Sequence, residues 1–366
     1  MPTVGTICAA LDRFAPPQLA AEWDNVGLLF GNAETEVRHL LTCLTVTGEV
    51  ADEAIESGAQ LIVSHHPILF RGAKRLIASS AEGKFLWPLA RAGVSIYSPH
   101  TAFDNCAGGI NDIIAQRLAL VDVKPLRPTS SRQFKVVVFT PDADLQKVSD
   151  AMFAAGAGDI GQYSQCSFRL PGTGTFFGSD ATNPTVGQKG RREEVSEQRL
   201  EVVCPESLLA AVLQAMRQTH SYEEPAYDVY PLQPSASATG EGRLGKLASP
   251  ESLAGLARRV KMGLNANAVQ IVGDEAQLIE RVAIACGAAG EFLSDAIRVS
   301  ADVFLTGEMR FHDGLAAKSQ GIALLLPGHY ATERPAVDVL AKKLQAEWPG
   351  LNVWASRRES DPVKIG

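Results

Sequence analysis

Residues 60–70 read QLIVSHHPILF, a short run of β-forming residues that stops at two histidines and a proline. An apolar run of this length, bounded by a proline, predicts a buried strand. Pro67 disfavours a helical conformation at His66 and donates no ladder hydrogen bond, so the strand should end at the histidines. Successive strand side chains point to opposite faces. His65 and His66 can therefore share one site only beyond the strand end, and a pair of partly exposed loop histidines is the alternative.

Further short strands and helices surround this stretch at both ends of the chain. Strand-like runs occur at 40–46, 93–98, 281–286, 302–307 and 322–327. Helical patterns occur at 48–57, 82–92 and 110–118, and helical stretches follow each of the later strands. This alternation predicts an α/β fold with a largely parallel sheet.

The middle of the chain has a different order of elements. Strand and helix patterns give β-α-β-β-α-β, the ferredoxin-like arrangement, at 134–141, 144–156, 162–170, 200–205, 207–220 and 226–232. A polar, Gly-rich stretch at 178–197 predicts a mobile hairpin or loop, and 234–242 predicts a linker. We therefore predict one α/β domain formed by residues 1–129 and 236–366, interrupted by an inserted α+β domain at 130–235.

A second potential ligand set follows the strand predicted at 93–98. The sequence SPHTAFDN brings His100 and Asp104 to that strand end. Asp104 offers a carboxylate for a metal, although an aspartate here is equally typical of a turn or helix cap. His100 is a candidate for orienting a neighbouring ligand.

A third set follows the strand predicted at 322–327. His329 and Glu333 are four residues apart, so both project from one helix face if the helix begins near His329. Such a pair is suited to holding one metal ion, and an exposed helical His–Glu pair is the alternative.

The three strand ends together predict one site, because open α/β sheets bind ligands at the carboxyl ends of their strands. The predicted ligands are His65, His66, Asp104, His329 and Glu333. Borderline ions such as Zn, Fe, Mn or Co accept this mixture of imidazoles and carboxylates. Five ligands exceed the need of one ion, so the set predicts two divalent ions, bridged by Glu333 or a water.

Two softer features accompany the metal ligands. Glu308 and His312 follow the strand predicted at 302–307 and are candidate acid/base or substrate-orienting groups, with solvated helix charges as the alternative. Trp23, Asp24 and Asn25 precede an apolar run and are candidates for contacting the substrate or for supporting the metal ligands. For these three, a helix-to-strand turn with a packed tryptophan is the favoured interpretation.

Composition excludes some classes of function. The chain has 366 residues, 46% of them hydrophobic, which is ample for a buried core. The net charge of −7 argues against a broad nucleic-acid-binding surface. No apolar run is long enough to span a bilayer, and Asp12 and Arg13 interrupt the place where a signal peptide needs its apolar stretch. We expect a cytoplasmic protein without membrane or nucleic-acid partners.

Several motifs, in this order, resemble the dinuclear-metal-centre proteins, also called NIF-three-like proteins or GTP cyclohydrolase 1 type 2 homologues. The motifs are WDNVGLLFG, SHHPILF, PHTAFDN with GGIND, TGEMRFHD and GHYATE, within about 1–125 and 240–366. The resemblance implies that the same five residues hold two metals in a homohexamer, a trimer of dimers. Many members carry Asp where this chain has Thr45, which puts catalysis by that acid in doubt.

The middle segment resembles the insert of longer family members, which is similar to the CutA and P-II regulators. His220, Tyr222, Glu223 and Glu224 are candidates there for a further ligand or metal site, with a helix end that locks the insert or its trimer contact as the alternative. The resemblance implies a metal-dependent hydrolase of a small nucleotide-like or phosphorylated substrate, with GTP cyclohydrolase-type ring opening as the named option. The alternative function is a non-catalytic metal-binding assembly with a ligand-sensing insert.

Overall fold

The computed structural model describes residues 1–72, 75–129, 132–161, 163–233 and 238–365. The chain divides into two compact units, residues 1–129 with 237–366 and residues 130–236. We call the first unit the split domain and the second the insert. No helix in the described ranges is long and apolar enough to cross a bilayer.

The strands of the described residues are β1 (Gly27–Phe30), β2 (His39–Cys43), β3 (Leu61–Ser64), β4 (Ser95–Ser98), β5 (Val121–Lys124), β6 (Arg127–Pro128), β7 (Gln133–Thr140), β8 (Ser167–Phe177), β9 (Arg192–Pro205), β10 (Tyr227–Pro231), β11 (Gly240–Glu241), β12 (Arg243–Ser252), β13 (Gln270–Val272), β14 (Leu278–Ile284), β15 (Val303–Leu305), β16 (Ala323–Leu326) and β17 (Asn352–Ala355). The helices are α1 (Val4–Phe14), α2 (Gly48–Glu56), α3 (Gly83–Ala92), α4 (His100–Asn105), α5 (Ile110–Arg117), α6 (Leu145–Ala154), α7 (Leu209–Thr219), α8 (Leu253–Gly263), α9 (Leu293–Arg298), α10 (Phe311–Ser319) and α11 (His329–Glu347).

The split domain contains two mixed sheets, ordered β1-β4-β3-β2-β17 and β13-β16-β15-β14-β12-β5. Strands β17, β2, β3 and β4 run parallel, as do β14, β15 and β16. The α/β prediction is confirmed, but a largely parallel sheet describes only the middle of each sheet. Antiparallel strands flank both: β1 pairs with β4, β12 with β14, and β13 with β16.

The largest apolar core lies between the two sheets. Leu61 and Val63 of β3 face this core together with Leu305 of β15. Ile62 points to the other face of β3, where it packs in a second core with Leu86 of α3. The central strands are therefore buried on both faces, which explains their continuous apolar runs.

Arg243 links the two chain segments of the split domain. Its side chain is 1% exposed. The guanidinium donates to both carboxylate oxygens of Asp112, at 2.5 and 3.0 Å, and to the carbonyl oxygens of Cys106, Gly240 and Gly242 at 2.7–2.9 Å. Because Cys106 and Asp112 precede the insert, these bonds hold segments that lie far apart in sequence.

The insert has an antiparallel sheet, ordered β10-β7-β9-β8, and the predicted β-α-β-β-α-β element order is confirmed. Helices α6 and α7 pack on one sheet face, where Val136, Val202 and Met216 are buried. The bounds predicted for β8 and for the loop at 178–197 were wrong. Strands β8 and β9 pair as far as Phe177 opposite Arg192, because backbone ladder bonds form there despite polar side chains.

Some predicted segments of the insert lie partly outside the described residues. Gln162, at the start of a predicted strand, is one, and 234–237 of the predicted linker are others. The end of that linker forms β11, which pairs with β6 in the split domain.

Glu53 of α2 anchors the chain end beyond β17. Its buried carboxylate accepts hydrogen bonds from Ser356 Oγ at 2.6 Å and Trp354 Nε1 at 3.1 Å. Backbone N–H groups of Arg357 and Arg358 also donate to it, at 3.1 and 3.2 Å. Burial disfavours the charged form, but these hydrogen bonds outweigh it and lower the pKa of Glu53.

We expect Glu53→Gln to lower the free energy of unfolding at pH 7 by about 2 kcal/mol, because its amide leaves buried donors unmatched. Since folding lowers the pKa of Glu53, the wild-type contribution is present above the unfolded-state value of about 4.3 and is lost as the pH falls through the folded-state value. Urea unfolding at several pH values measures both effects. Exposed Glu347→Gln is the control, and equal stability of the two variants at pH 7 would refute this role for Glu53.

Candidate metal centre

The candidate ligands lie at the carboxyl ends of strands from both sheets. His65 and His66 follow β3 directly, as Pro67 predicts. Their backbone N–H groups donate to Cys43 and Leu44 carbonyls at 2.9 and 2.8 Å, so pairing with β2 extends to the strand end. The strand therefore ends with both imidazoles beside the same edge of the sheet.

Three imidazoles surround Glu333, whose side chain is 5% exposed. Its Oε2 lies 3.0 Å from His66 Nε2, 3.1 Å from His329 Nε2 and 3.8 Å from His65 Nε2. Helix α11 begins at His329, so Glu333 lies one turn further on the same face, as its spacing predicts. The ring nitrogens of His66 and His329 and the Glu333 carboxylate form a group that could hold a metal ion.

His65 is buried with two unpartnered ring nitrogens. Neither Nδ1 nor Nε2 has a hydrogen-bond partner in the described structure, and neither has Asp104 Oδ1, which lies 3.7 Å from His65 Nε2. Each buried polar atom without a partner costs about 1–3 kcal/mol, so such atoms call for a missing partner. His65 Nε2 and Asp104 Oδ1 approach each other without a hydrogen bond, as two ligands of one bound cation would. These residues therefore fit a metal centre.

The charges within the cluster are strongly perturbed. Burial disfavours ionised Glu333, but hydrogen bonds with His329 and His66 outweigh it and lower the pKa of Glu333. The hydrogen bond to Glu333 in turn raises the pKa of His329 to about 9. Burial, with the charge of Glu333, raises the pKa of Asp104, and burial lowers that of His65. The cluster thus contains one firmly ionised carboxylate and an imidazole kept neutral, the forms that bind metals.

Three imidazoles have Nδ1 held by a side chain outside the cluster. The pairs are His66 with Thr45 Oγ1 at 2.7 Å, His329 with Glu308 Oε1 at 2.9 Å, and His100 with Asp24 Oδ1 at 2.7 Å. A side-chain partner at Nδ1 fixes the orientation of each ring. The Nε2 atoms of His66 and His329 lie 3.0 and 3.1 Å from Glu333 Oε2, where an N–H donates to the ionised carboxylate; an ion bound there would displace that proton.

His100, predicted only to orient a ligand, itself offers a ring nitrogen within 4.8 Å of those of His65 and His66. Its backbone φ of 29° lies in the left-handed region, a strained conformation often found at functional sites. Asp24 holds it: burial opposes ionisation of Asp24, but hydrogen bonds from His100 and Thr101 lower its pKa to about 2. Asp24 is therefore ionised, and its carboxylate holds the His100 ring in position.

The residues beside Asp24 are differently placed. Trp23 is 62% exposed and meets Phe70 and His100 only edge-on, with ring centroids 5.8 and 6.1 Å away. The interpretation of Trp23 as a packed residue was therefore wrong, because the described elements leave most of its side chain uncovered. Asn25 Nδ2 donates to the Leu69 carbonyl at 3.3 Å and so ties two loops together.

Glu308 and His312, the candidate acid/base or substrate-orienting groups, have different surroundings. Glu308 precedes α10, which begins at Phe311, so their four-residue spacing is not helical. Glu308 instead binds His329. His312 is exposed, its recorded ring contact is with Phe311 at 5.6 Å, and within the described residues no contact joins it to the imidazole cluster.

Two glycines make room for the cluster. A Cβ atom on Gly287, whose φ is 68°, would lie 2.5 Å from Glu333 Oε1. A Cβ atom on Gly307 would lie 2.8 Å from His329 Cα. The Gly287 N–H donates to Thr332 Oγ1 at 3.0 Å, which ties this turn to the helix that carries His329 and Glu333.

A cavity of about 960 Å³ opens beside His66 and His329 and is lined partly by residues 359–363 and by Ile365. Its described lining carries four carboxylates and no lysine or arginine: the acids are Glu49, Glu308, Glu359 and Asp361. The cluster therefore faces a space large enough for a small molecule, with a negatively charged wall.

Comparison with known proteins identifies the family. The model of Duf34/NIF3 (NGG1p interacting factor 3) matches residues 2–362. The chain belongs to the Duf34/NIF3 family. Its similarity extends over whole relatives: the "GTP cyclohydrolase 1 type 2 homolog" of Halalkalibacterium halodurans is 36% identical, covering 98% of this chain and 97% of the relative. The Bacillus subtilis protein of the same name is 35% identical, covering 97% and 96%.

Solved structures of NIF3 relatives have the same fold. A Bacillus cereus protein related to NIF3 matches with a TM-score of 0.78 and 35% identity, covering 100% of this chain and 99% of that one. Staphylococcus aureus protein SA1388 matches with a TM-score of 0.82 and 28% identity, covering 99% and 98%. NIF3 membership and the His/Glu groups together support a metal-associated function.

Thr45 was expected only to lack a catalytic carboxylate. Buried Glu359 accepts from the Leu44 and Thr45 backbone N–H groups at 2.8 and 2.7 Å, which fixes this strand end. The Thr45 hydroxyl can then hold His66. No local sequence pattern indicates that Thr45 holds His66, because the position of Thr45 depends on Glu359, which is far away in the chain.

We expect Thr45→Val to weaken divalent-metal binding about 10–100-fold, because His66 loses its Nδ1 partner. Competition with a chromophoric chelator measures the affinity. Thr45→Ser retains the hydroxyl and should bind as the wild type does. If valine and serine variants bind metal equally well, the hydroxyl has no role in positioning His66.

Proposed function

We propose that this NIF3 protein is a divalent-metal-dependent hydrolase with a two-ion centre that acts on a small nucleotide-like substrate. The observation that carries this proposal is the buried pair His65 and Asp104. Three of their polar atoms are unpartnered, within an imidazole–carboxylate cluster that opens onto a cavity. A purely structural cluster would satisfy those atoms.

The residues that would hold the ions are His65, His66, Asp104, His329 and Glu333. Bound ions of the Zn, Fe, Mn or Co type would lower the pKa of a water and polarise the group attacked. Glu333 faces three imidazoles, which supports its assignment as the shared ligand. Thr45 and Glu308 hold two of these imidazoles in position.

The cavity wall limits the charge of the substrate. Bound ions could compensate one phosphate, but the described lining offers no lysine or arginine for the further phosphates of a triphosphate. We therefore rank nucleoside-like or monophosphorylated substrates above GTP. Opening of the purine imidazole ring of GTP remains a test, because the curated relatives are named as homologues of such an enzyme.

Metal content and turnover test the proposal together. Bound metal is measured by mass spectrometry, and hydrolysis of guanosine, GMP and GTP is followed with and without chelator. We expect chelator-sensitive turnover that disappears in His66→Ala and persists in His39→Gln, a histidine bonded to Asn352 outside the cluster. Turnover that survives His66→Ala would refute catalysis at this centre.

A second candidate function is a non-catalytic metal-binding assembly. The placement of the candidate acid/base groups favours it: Glu308 is bonded to His329, and His312 is exposed on α10. Tightly bound metal without turnover of any of the three substrates would support it. The CutA-like character of the insert remains a proposal, supported by its strand order; the hexamer and the cytoplasmic location remain predictions.

A further inference from the structure

The insert contains a cavity of its own, of about 840 Å³. Leu200 and Val202 of β9 face the helices, so the alternate residues Glu197 and Arg199 face the opposite side of the sheet. That side forms the cavity wall, together with β8 and residues 178–186. The cavity therefore lies on the face that α6 and α7 leave uncovered.

The connection between β8 and β9 folds back over this face. Thr185 Oγ1 donates to the Ser221 carbonyl at 2.7 Å, and the Asn183 N–H donates to Glu223 Oε1 at 3.1 Å. The segment predicted to be a mobile loop is thus held against the end of α7. These bonds close one wall of the cavity.

Glycines keep the floor of the cavity open. Gly172 and Gly174 lie in β8, where side chains of ordinary residues would fill the space. A Cβ atom on Gly174 would lie 2.1 Å from Glu197 Oε2. Glycine inside a strand often marks the close approach of a ligand, and here it preserves space beside a carboxylate.

Two polar groups lie side by side in this cavity. The phenol oxygen of Tyr222 is buried, and no described group donates a hydrogen bond to it. Burial and a hydrogen bond to the neighbouring Glu197 carboxylate raise the pKa of Tyr222, so the phenol is neutral. Glu197 forms no ion pair with any described residue, whereas Arg199 and Lys135 share the Glu201 carboxylate, at 2.8 and 3.2 Å.

The His220 metal site considered from the sequence does not form. His220 Nε2 donates to the Phe139 carbonyl at 3.0 Å, and Nδ1 accepts from the Tyr222 N–H at 3.0 Å. Both ring nitrogens are used, so His220 locks the helix end. His220 is thus not available to a ligand, whereas Tyr222 and Glu197 lie side by side in the cavity lining.

We propose that the insert binds a small organic cation, an ammonium group on an apolar or aromatic body. Glu197 supplies the compensating charge, and the Tyr222 hydroxyl oxygen accepts an ammonium N–H. Phe139 and Phe176 line the same cavity and offer apolar surface to the body of the ligand, and the Arg199 guanidinium lies over the Phe139 ring at 5.8 Å. An anionic ligand would meet the carboxylates of Glu197, Glu223 and Glu224 in the described lining, where Arg199 already binds Glu201.

Three probes of matched size test the charge preference: phenethylammonium, 2-phenylethanol and phenylacetate. Binding to the full-length protein is measured by ligand-observed NMR titration. We expect phenethylammonium to bind at least about tenfold more tightly than the other two. Glu197→Gln should remove this preference, and Tyr222→Phe should weaken binding several-fold.

The controls separate this cavity from the acidic one beside the metal cluster. Glu206→Gln changes an exposed carboxylate of the insert and should bind as the wild type does, as should Glu49→Gln, which removes a carboxylate of the acidic cavity. The inference is overturned if the three probes bind equally, if Glu197→Gln binds normally, or if phenethylammonium does not bind at about 10 mM. The last result would mean that the cavity is not a cation site in the assembled protein.

Discussion

Replacing Glu333 by glutamine is expected to weaken divalent-metal binding by about a hundredfold or more, an effect near 3 kcal/mol. Glu333 Oε2 faces three imidazole nitrogens, so its charge acts on every part of the cluster. A neutral amide is a far poorer ligand for ions of the Zn, Fe, Mn or Co type. The metal-free protein should still fold, because glutamine retains the shape and one acceptor oxygen.

Thermal unfolding with and without added metal separates binding from folding. A ligand at a hundred times its Kd stabilises the native state by about 2.7 kcal/mol, and Glu333→Gln should lose this gain at the same metal concentration. Exposed Glu347→Gln, on the same helix, should keep it. A metal-induced rise in Tm of wild-type size in Glu333→Gln would exclude Glu333 as a ligand.

Arg243→Met is expected to lower the free energy of unfolding by about 3–5 kcal/mol. Methionine removes five hydrogen bonds and leaves the Asp112 carboxylate without its cationic partner. The carbonyls of Cys106, Gly240 and Gly242 also lose their donor. Since these groups join the two segments of the split domain, the effect tests whether both chain ends form one cooperative unit.

Urea unfolding measures this loss, with exposed Arg258→Met as the control. A double-mutant cycle with Asp112→Asn then isolates the ion pair, and we expect the two changes to be strongly non-additive. A loss below about 1 kcal/mol in Arg243→Met would mean that the two segments do not depend on this contact.

The parts of the site that sequence predicts are those set by local chemistry. Pro67 ends β3, which brings His65 and His66 to the strand end. The four-residue spacing of His329 and Glu333 places both on one turn of α11. The strand–helix alternation at both chain ends likewise indicated the α/β class, since burial on both faces demands continuous apolar runs.

The parts that sequence misses depend on contacts between distant segments. Thr45 holds His66, and Gly287 leaves space for Glu333, yet neither residue stands in a pattern that signals it. The roles of Glu308 and His312 remain predictions, because their surroundings depend on the start of α10 at Phe311, which their spacing does not show. In the insert, backbone pairing extends β8 and β9 through a polar stretch that composition alone indicates to be a loop.

The two-ion centre is tested by the metal content of the purified protein. The protein is loaded with divalent metal and dialysed, and its bound metal is measured by mass spectrometry against the protein concentration from amino-acid analysis. We expect about two ions per wild-type chain, since two ions sharing a carboxylate use the full ligand set. Fewer than about one ion per chain under these conditions would contradict the two-ion centre.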